Sequence, residues 1–177
     1  MKANILKYTG KAGFSILLLL LISGFGISQT KWTKVVYYYN VGSLPPPYHY
    51  EYTITINSDG TSELVYMMGY TRTFDNTLEY SLDVRNTAFK NLKKEIKESK
   101  LLNKRVGYMP SEKIPVGGSS EHLVIYDGED TLTYVPSYPE MKYETVLEEL
   151  YSKIRKCIPD DVWNEVKAKR EERMDYR

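Results

Sequence analysis

The sequence of 177 residues contains very little cysteine. The single cysteine, Cys157, excludes an intramolecular disulfide, so the fold must be stabilised by its core alone. Cys157 follows Tyr143, Leu147, Leu150 and Ile154 along one face of a predicted helix. That spacing predicts a buried thiol that behaves as a small apolar side chain, and the alternative is a bridge between two molecules.

Histidine is equally scarce, and the sequence has no motif that specifies a catalytic chemistry. His49 and His122 are the only histidines, and neither has the spacing of a metal-binding helix. Both fall on predicted strands, where we expect surface positions. There is no Gly-x-Ser-x-Gly nucleophile elbow, glycine-rich phosphate loop or calcium-binding loop. We therefore expect a non-enzymatic protein without a cofactor, and keep as an alternative a metal-dependent hydrolase with a zinc site built from His49, Glu51 and His122.

The first 28 residues have the three-part layout of a secretory signal peptide. Three lysines precede an apolar run over 14–22 in which Ser15 is the only polar residue, and small, turn-prone residues follow up to Ser28. We expect cleavage after Ser28 and export to the periplasm or the extracellular space. The mature domain would then have no membrane attachment, whereas an uncleaved leader would be an N-terminal anchor.

Charge of one sign does not dominate the chain. The leader holds three of the 24 basic residues and none of the 23 acidic ones, which leaves a net charge of −2 after cleavage. Nucleic-acid binding normally requires a strong basic excess on one face. The near-neutral balance and the expected export together argue against a nucleic-acid partner.

Alternation of apolar and polar residues predicts an antiparallel sheet. Residues 48–57 alternate for ten positions, Asp59-Gly60 supplies a tight turn, and strands over 61–70 and 78–84 complete a meander. A second hairpin is predicted over 122–126 and 131–135. The segment 32–39 is expected to add a sixth strand at an edge.

Helical periodicity appears in three segments. Asn86 is a good N-cap for an amphipathic helix over 87–101, and a second helix is predicted over 140–157. Pro159 suits the first turn of a short last helix that gives way to a charged tail at 167–177. Between the first helix and the second hairpin, residues 103–120 form a connection that is long for a compact domain.

These elements follow one another in the order βββα-ββα-α, which predicts the α+β class. An antiparallel sheet of five to six strands would be covered on one face by two amphipathic helices and the short C-terminal helix. The chain then divides into a signal peptide (1–28), an N-terminal strand with a proline-rich bend (29–47), a core domain (48–158), and a C-terminal helix and tail (159–177).

Tyrosine is unusually abundant, with 17 residues in the chain. Six of them lie between positions 37 and 52, beside the three consecutive prolines 45–47. Exposed tyrosines offer apolar area and a hydroxyl group at little entropic cost, which suits recognition of a protein or a surface glycan. The alternative is that they only fill the sheet, because tyrosine has a high strand propensity. The expected recognition surface combines this edge with the long loop: Tyr37, Tyr38, Tyr39, Pro46, Tyr48, Gly117, Gly118 and His122.

The layout is similar to that of known small domains. A tyrosine-rich strand, the hairpin Asn57-Ser58-Asp59-Gly60, a helix from Thr87, a second hairpin through Asp127-Gly128 and a helix ending near Cys157 resemble small secreted bacterial domains of unknown function. The same order resembles emfourin-type inhibitors of thermolysin-like metallopeptidases. That resemblance implies protease inhibition as an alternative function. Emfourin-like chains carry a Gly-Gly-aromatic motif in the first hairpin, which here reads Ser-Asp-Gly-Thr, so no site residue is transferred.

Overall fold

Six antiparallel strands form one sheet within residues 32–175, the part of the chain that the computed structural model describes. The predicted signal peptide, residues 1–28, lies outside these residues. In spatial order the sheet runs β4-β3-β2-β1-β5-β6. The strands are β1 (Lys34–Asn40), β2 (Tyr50–Asn57), β3 (Thr61–Met68), β4 (Thr77–Asp83), β5 (Ser120–Asp127) and β6 (Asp130–Val135).

Three α-helices accompany the sheet, and the α+β class predicted from the sequence is confirmed. They are α1 (Thr87–Glu98), α2 (Glu144–Arg155) and α3 (Asp160–Asp175), with short 3-10 turns at Ser111–Lys113 and Met141–Tyr143. The predicted N-cap of α1 is present, since the Asn86 side chain accepts a hydrogen bond from the Phe89 amide at 3.1 Å. Within residues 32–175 no helix combines the length and the apolar character needed to cross a membrane.

The core lies between one face of the sheet and the helices. Alternate strand residues such as Val35, Ile54, Leu64 and Ile125 are fully buried on that face, while their neighbours on the other face are half-buried or exposed. Alternation of this kind is expected for a sheet with a single covered face. The helices contribute Phe89, Leu92 and Ile96 from α1, Leu147, Leu150 and Ile154 from α2, and Val162 and Val166 from α3.

The predicted edge position of the first strand is wrong. β1 lies at the centre of the sheet and pairs with β2 on one side and β5 on the other over its whole length. Its side chains Val35 and Tyr37 are fully buried. The strand sequence alternates equally well at an edge or in the middle, so its neighbours are decided by which partners the rest of the chain offers.

The C-terminal half of the chain also differs in its helix bounds. The second helix begins later than predicted, at Glu144, after a 3-10 turn. The third helix continues to Asp175, through residues that the charge pattern had assigned to a tail. Ion pairs between Glu165 and Lys169 at 2.6 Å and between Lys167 and Glu171 at 3.8 Å have the spacing that stabilises an exposed helix.

Cys157 is fully buried just after α2, as its spacing predicted. Burial raises the pKa of its thiol to about 12. The sulfur donates a hydrogen bond to the Lys153 carbonyl at 3.4 Å. A buried and protonated thiol does not favour a bridge to a second molecule.

Candidate functional site

Four connecting segments meet at the same end of the sheet. Because neighbouring strands are antiparallel, the β1–β2 loop (41–49), the β3–β4 loop (69–76), the connection before β5 (99–119) and the segment after β6 (136–143) all lie beyond corresponding strand ends. We call these four segments the loop end. The tight turns 58–60 and 128–129 lie at the opposite end of the sheet.

Exposed large apolar side chains are concentrated at the loop end. Phe74 and Val116 are completely exposed, and Tyr108 is 65% exposed. Every exposed large apolar residue among those that the structure describes belongs to one of the four segments: Leu44, Tyr48, Tyr70, Phe74, Tyr108, Val116 and Met141. The turns at the opposite end contribute none of these residues. Clustered exposed apolar groups mark interaction surfaces more often than scattered ones do.

Charge also differs between the loop end and the two tight turns. The four segments of the loop end contain six basic and three acidic residues, whereas the two opposite turns contain only Asp59 and Glu129. The basic residues are Arg72, Lys100, Lys104, Arg105, Lys113 and Lys142. The loop end therefore combines exposed apolar groups with a modest excess of positive charge.

The proline-rich bend is held by its own backbone and by the neighbouring loop. The amides of Tyr48 and His49 both donate to the Pro45 carbonyl, at 2.9 and 3.1 Å. The Tyr70 hydroxyl donates to the Leu44 carbonyl at 2.6 Å, which connects the bend to the β3–β4 loop. Pro46 and Tyr48 project from this bend and are exposed.

His49 is buried beneath the bend, so its predicted surface position is wrong. Only 3% of His49 is exposed, and its ring stacks on Tyr70 with 3.8 Å between ring centroids. Its Nδ1 lies 2.8 Å from the Gly42 carbonyl oxygen. The residue precedes β2 and is turned inward by the bend, so the strand alternation that placed it on the outer face does not extend to it.

The long connection contacts the proline-rich bend through two glycines. Gly42 has a φ of +93°, and a Cβ atom at this position would lie 2.2 Å from the Gly118 carbonyl oxygen. No residue other than glycine fits here without displacing one of the two backbones. The two regions that the sequence analysis combined in one surface are therefore adjacent in the structure.

Asn76 fixes the β3–β4 loop from inside. It is 94% buried, its Nδ2 donates to the Thr71 carbonyl at 2.6 Å, and its Oδ1 accepts from the Thr73 amide at 2.8 Å. The amide side chain thus replaces backbone partners that an irregular loop lacks. The loop that displays Tyr70 and Phe74 consequently has a defined conformation.

Not all of the expected recognition residues lie at the loop end. Pro46, Tyr48, Gly117 and Gly118 are exposed there. Tyr37 is fully buried against α2, with its ring 5.1 Å from Tyr151, so it cannot belong to a surface. The Tyr37 hydroxyl accepts a hydrogen bond from Arg155 at 2.6 Å.

Three more of the expected recognition residues lie away from the loop end: Tyr38, Tyr39 and His122. Tyr38 and His122 lie on the uncovered face of the sheet, stacked with 4.7 Å between ring centroids. The Tyr38 hydroxyl donates to Glu51, and burial together with this bond raises its pKa to about 12. Desolvation lowers the pKa of His122 below its ordinary value of 6.5. Tyr39 lies on the covered face in a row of tyrosines.

The two histidines are separate, and the zinc site considered from the sequence is not assembled. His49 contacts Gly42 and Tyr70, whereas His122 stacks on Tyr38. In the described part of the chain, no three His, Cys, Asp or Glu residues are grouped so that they could hold a metal ion. Glu51 is engaged by Tyr38 and by Asn40, whose Nδ2 donates to Oε2 at 2.8 Å.

A groove that the sequence pattern does not predict lies between α3 and the covered face of the sheet. Its volume is about 350 Å³, and its lining is dominated by aromatic rings and three cationic side chains. We call it the tyrosine groove. The aromatic residues are Tyr50, Tyr52, Tyr66 and Trp163, and the cations are Arg155, Lys167 and Arg170. The strand pattern marks the tyrosines as inward-facing, but their association with α3 has no signal in the sequence.

Known proteins give no guide to either feature. No protein-family model matches this chain, and the curated proteins include no sequence similar to it.

Proposed function

We propose that this protein is an exported, non-enzymatic domain that binds a protein partner through its loop end. The observation that carries the proposal is the concentration of exposed large apolar side chains in four segments at one end of the sheet. Function located on loops above a rigid sheet is a common arrangement, because the sheet fixes the positions of the loops.

The composition of the loop end favours a protein surface as the partner. Phe74, Tyr70, Tyr48 and Tyr108 are aromatic, and aromatic side chains supply much of the binding energy of protein interfaces. Basic residues around them suit a partner whose contact surface has an acidic rim. The proposal therefore specifies a partner with an apolar centre and negative charges around it.

Order within the loops supports the same function. The Asn76 hydrogen bonds, the Tyr70–Leu44 bond and the close approach of Gly42 to Gly118 all restrict the segments before any partner arrives. Loops that are already ordered lose less conformational entropy on binding. Exposed apolar residues on ordered loops are thus well suited to recognition.

The test is affinity capture of partners from the cell-envelope and secreted fractions of the source cells. The wild-type protein is compared with a Phe74→Ser/Val116→Ser variant, in which the two most exposed apolar side chains are polar. The matched control is Glu63→Ser/Glu129→Ser, since both residues are exposed and lie away from the loop end. Bound proteins are identified by mass spectrometry and their affinities remeasured with purified components.

We expect a partner that the wild type and the control retain and that the loop variant binds at least about tenfold more weakly, as loss of anchoring side chains implies. Capture of a metallopeptidase would support the more specific proposal that the protein is a protease inhibitor. Equal retention by all three proteins, or no partner for the wild type, would contradict it. A stoichiometric bound metal that is lost in His122→Ala would instead favour the hydrolase alternative.

A further inference from the structure

A row of nearly parallel tyrosine rings runs along the covered face and into the tyrosine groove. Tyr39, Tyr52 and Tyr66 occupy directly paired positions on β1, β2 and β3. The ring centroids of Tyr39 and Tyr52 are 4.9 Å apart and those of Tyr52 and Tyr66 are 5.9 Å apart, with interplanar angles of 17° and 8°. Tyr50 extends the row, stacked 5.4 Å from Tyr66. The covered face of the sheet therefore presents a continuous row of aromatic rings to α3.

Trp163 forms one side of the tyrosine groove. Its ring meets Tyr52 edge-to-face with 5.2 Å between centroids, and its Nε1 donates to the Arg155 carbonyl at 3.3 Å. Burial raises the pKa of Tyr52 to about 12 and that of Tyr66 still further, so their hydroxyls stay neutral. The lining residues that the structure describes include no carboxylate.

The positive charges of the groove are not equally compensated. Arg155 pairs with Glu121 at 3.0 Å and also binds the Tyr37 hydroxyl. Lys167 forms an ion pair with Glu171, with 3.8 Å between Nζ and Oε1. Arg170 differs, because its guanidinium lies 4.6 Å from the centroid of the Tyr50 ring and interacts with the neutral hydroxyls of Tyr66 and Tyr50. Among the side chains that the structure describes, no carboxylate is in ion-pair contact with it.

From this geometry we infer that the tyrosine groove binds an aromatic carboxylic acid, with the ring of the ligand against the tyrosines and its carboxylate on Arg170. A guanidinium accepts a carboxylate through two parallel hydrogen bonds, and aromatic rings pack on one another in offset or edge-to-face arrangements. The groove is open to solvent on one side, its volume of about 350 Å³ accommodates a single-ring acid, and its lining is mainly apolar with a few polar groups.

Arg170 also lines a second groove, of about 420 Å³, whose walls include Pro46 and Tyr70. The two grooves meet at this side chain. A ligand larger than a single ring can therefore extend past Arg170 toward the proline-rich bend. The inference is independent of the proposed protein partner, because the tyrosine groove lies on the covered face and not on the exposed loop tips.

Trp163 provides a direct way to test the inference. The chain has two tryptophans, so Trp32→Phe leaves Trp163 as the only one, fixed within the groove. Its fluorescence is followed while the full-length variant is titrated with benzoate, with benzamide as the neutral analogue and with glucuronate as an acid on a hydroxylated, non-aromatic ring.

Three further variants in the Trp32→Phe background examine the role of the cation. Arg170→Gln removes the charge. Arg170→Lys keeps the charge but loses the planar guanidinium group that can form two parallel hydrogen bonds with a carboxylate. Lys169→Gln is the matched control, because it removes the same charge from the adjacent residue, which pairs with Glu165 and does not line the groove. Circular dichroism checks that each variant is folded.

We expect saturable binding of benzoate, and at least about tenfold weaker binding of benzamide and glucuronate and of benzoate to Arg170→Gln. Arg170→Lys should fall between Arg170→Gln and the parent, and Lys169→Gln should match the parent. Absence of saturable benzoate binding, or equal binding by folded Arg170→Gln, would overturn the inference. Equal affinity for glucuronate would overturn the assignment to an aromatic acid. None of these outcomes depends on whether a protein partner binds at the loop end.

Discussion

Replacement of Gly42 by alanine is expected to destabilise the protein through two separable effects. The first is conformational, because Gly42 has a φ of +93°, a region that L residues adopt at a cost of about 1–2 kcal/mol. The second is steric, because the new Cβ atom would lie 2.2 Å from the Gly118 carbonyl oxygen. Since that atom belongs to the backbone, no side-chain rotation can relieve the overlap.

Gly117 provides the comparison that separates the two effects. Its φ of +85° is close to that of Gly42, but a Cβ atom there would meet nothing within 4 Å. Gly117→Ala should therefore cost only the conformational part, about 1–2 kcal/mol. Gly42→Ala should cost at least about 1 kcal/mol more, in the range of small-to-large substitutions that force the backbone to shift.

The free energy of unfolding of both variants is measured by denaturant titration against the wild type. The Gly42→Ala variant should also capture less of any loop-end partner, because relief of the overlap moves the long connection away from the proline-rich bend. Equal destabilisation by the two substitutions would show that the two loops are not in contact at Gly42 and Gly118.

Two other predictions concern titratable groups. Cys157 should react with a thiol reagent in the native protein only as fast as the protein unfolds, because it is buried and its thiol pKa is about 12; rapid native labelling would contradict this. Desolvation lowers the pKa of His122, so the unfolded state binds a proton more readily and the free energy of unfolding should fall as the pH drops through about 6.5. His122→Asn should show a shallower fall between about pH 7 and pH 5 in denaturant titrations, and an unchanged slope would contradict the assignment.

The strands and helices were largely predictable because each has a clear period. β2 alternates along its whole length, and α1 combines apolar spacing with the Asn86 cap. Hydrophobic burial acts locally on such patterns, since one face of each element must leave water. The end of α3 was not predicted because it has almost no apolar stripe. Its side chains instead form ion pairs one turn apart and contacts with Tyr50 and Asp75.

Strand neighbours were less predictable than strand positions. β1 contains Tyr37 and Val35, whose alternation suits an edge or a central strand, and its partners lie as far away as β5. Pairing between distant segments depends on the competition among all strands for neighbours. The sequence of one strand contains little information about that competition.

The candidate sites divide in the same way. The proline-rich bend and the long connection were recognised as possible recognition elements from composition and length alone. That Phe74, Tyr108 and Met141 join them at one end of the sheet followed only from the strand order. The tyrosine groove required still more, since Arg170 reaches the Tyr50 ring only because α3 crosses the covered face.

Periodicity and local backbone preferences were enough to predict the class of fold and the position of nearly every element, but they did not separate the buried tyrosines, such as Tyr37, from the exposed ones, such as Tyr48. Tertiary packing, in contrast, places β1 at the centre of the sheet, buries His49 and brings Gly42 against Gly118. Packing also decides which cations meet a carboxylate, and among the described side chains none forms an ion pair with Arg170. The physical reason is that period and propensity act over a few residues, whereas packing and charge compensation depend on groups that are far apart in the chain.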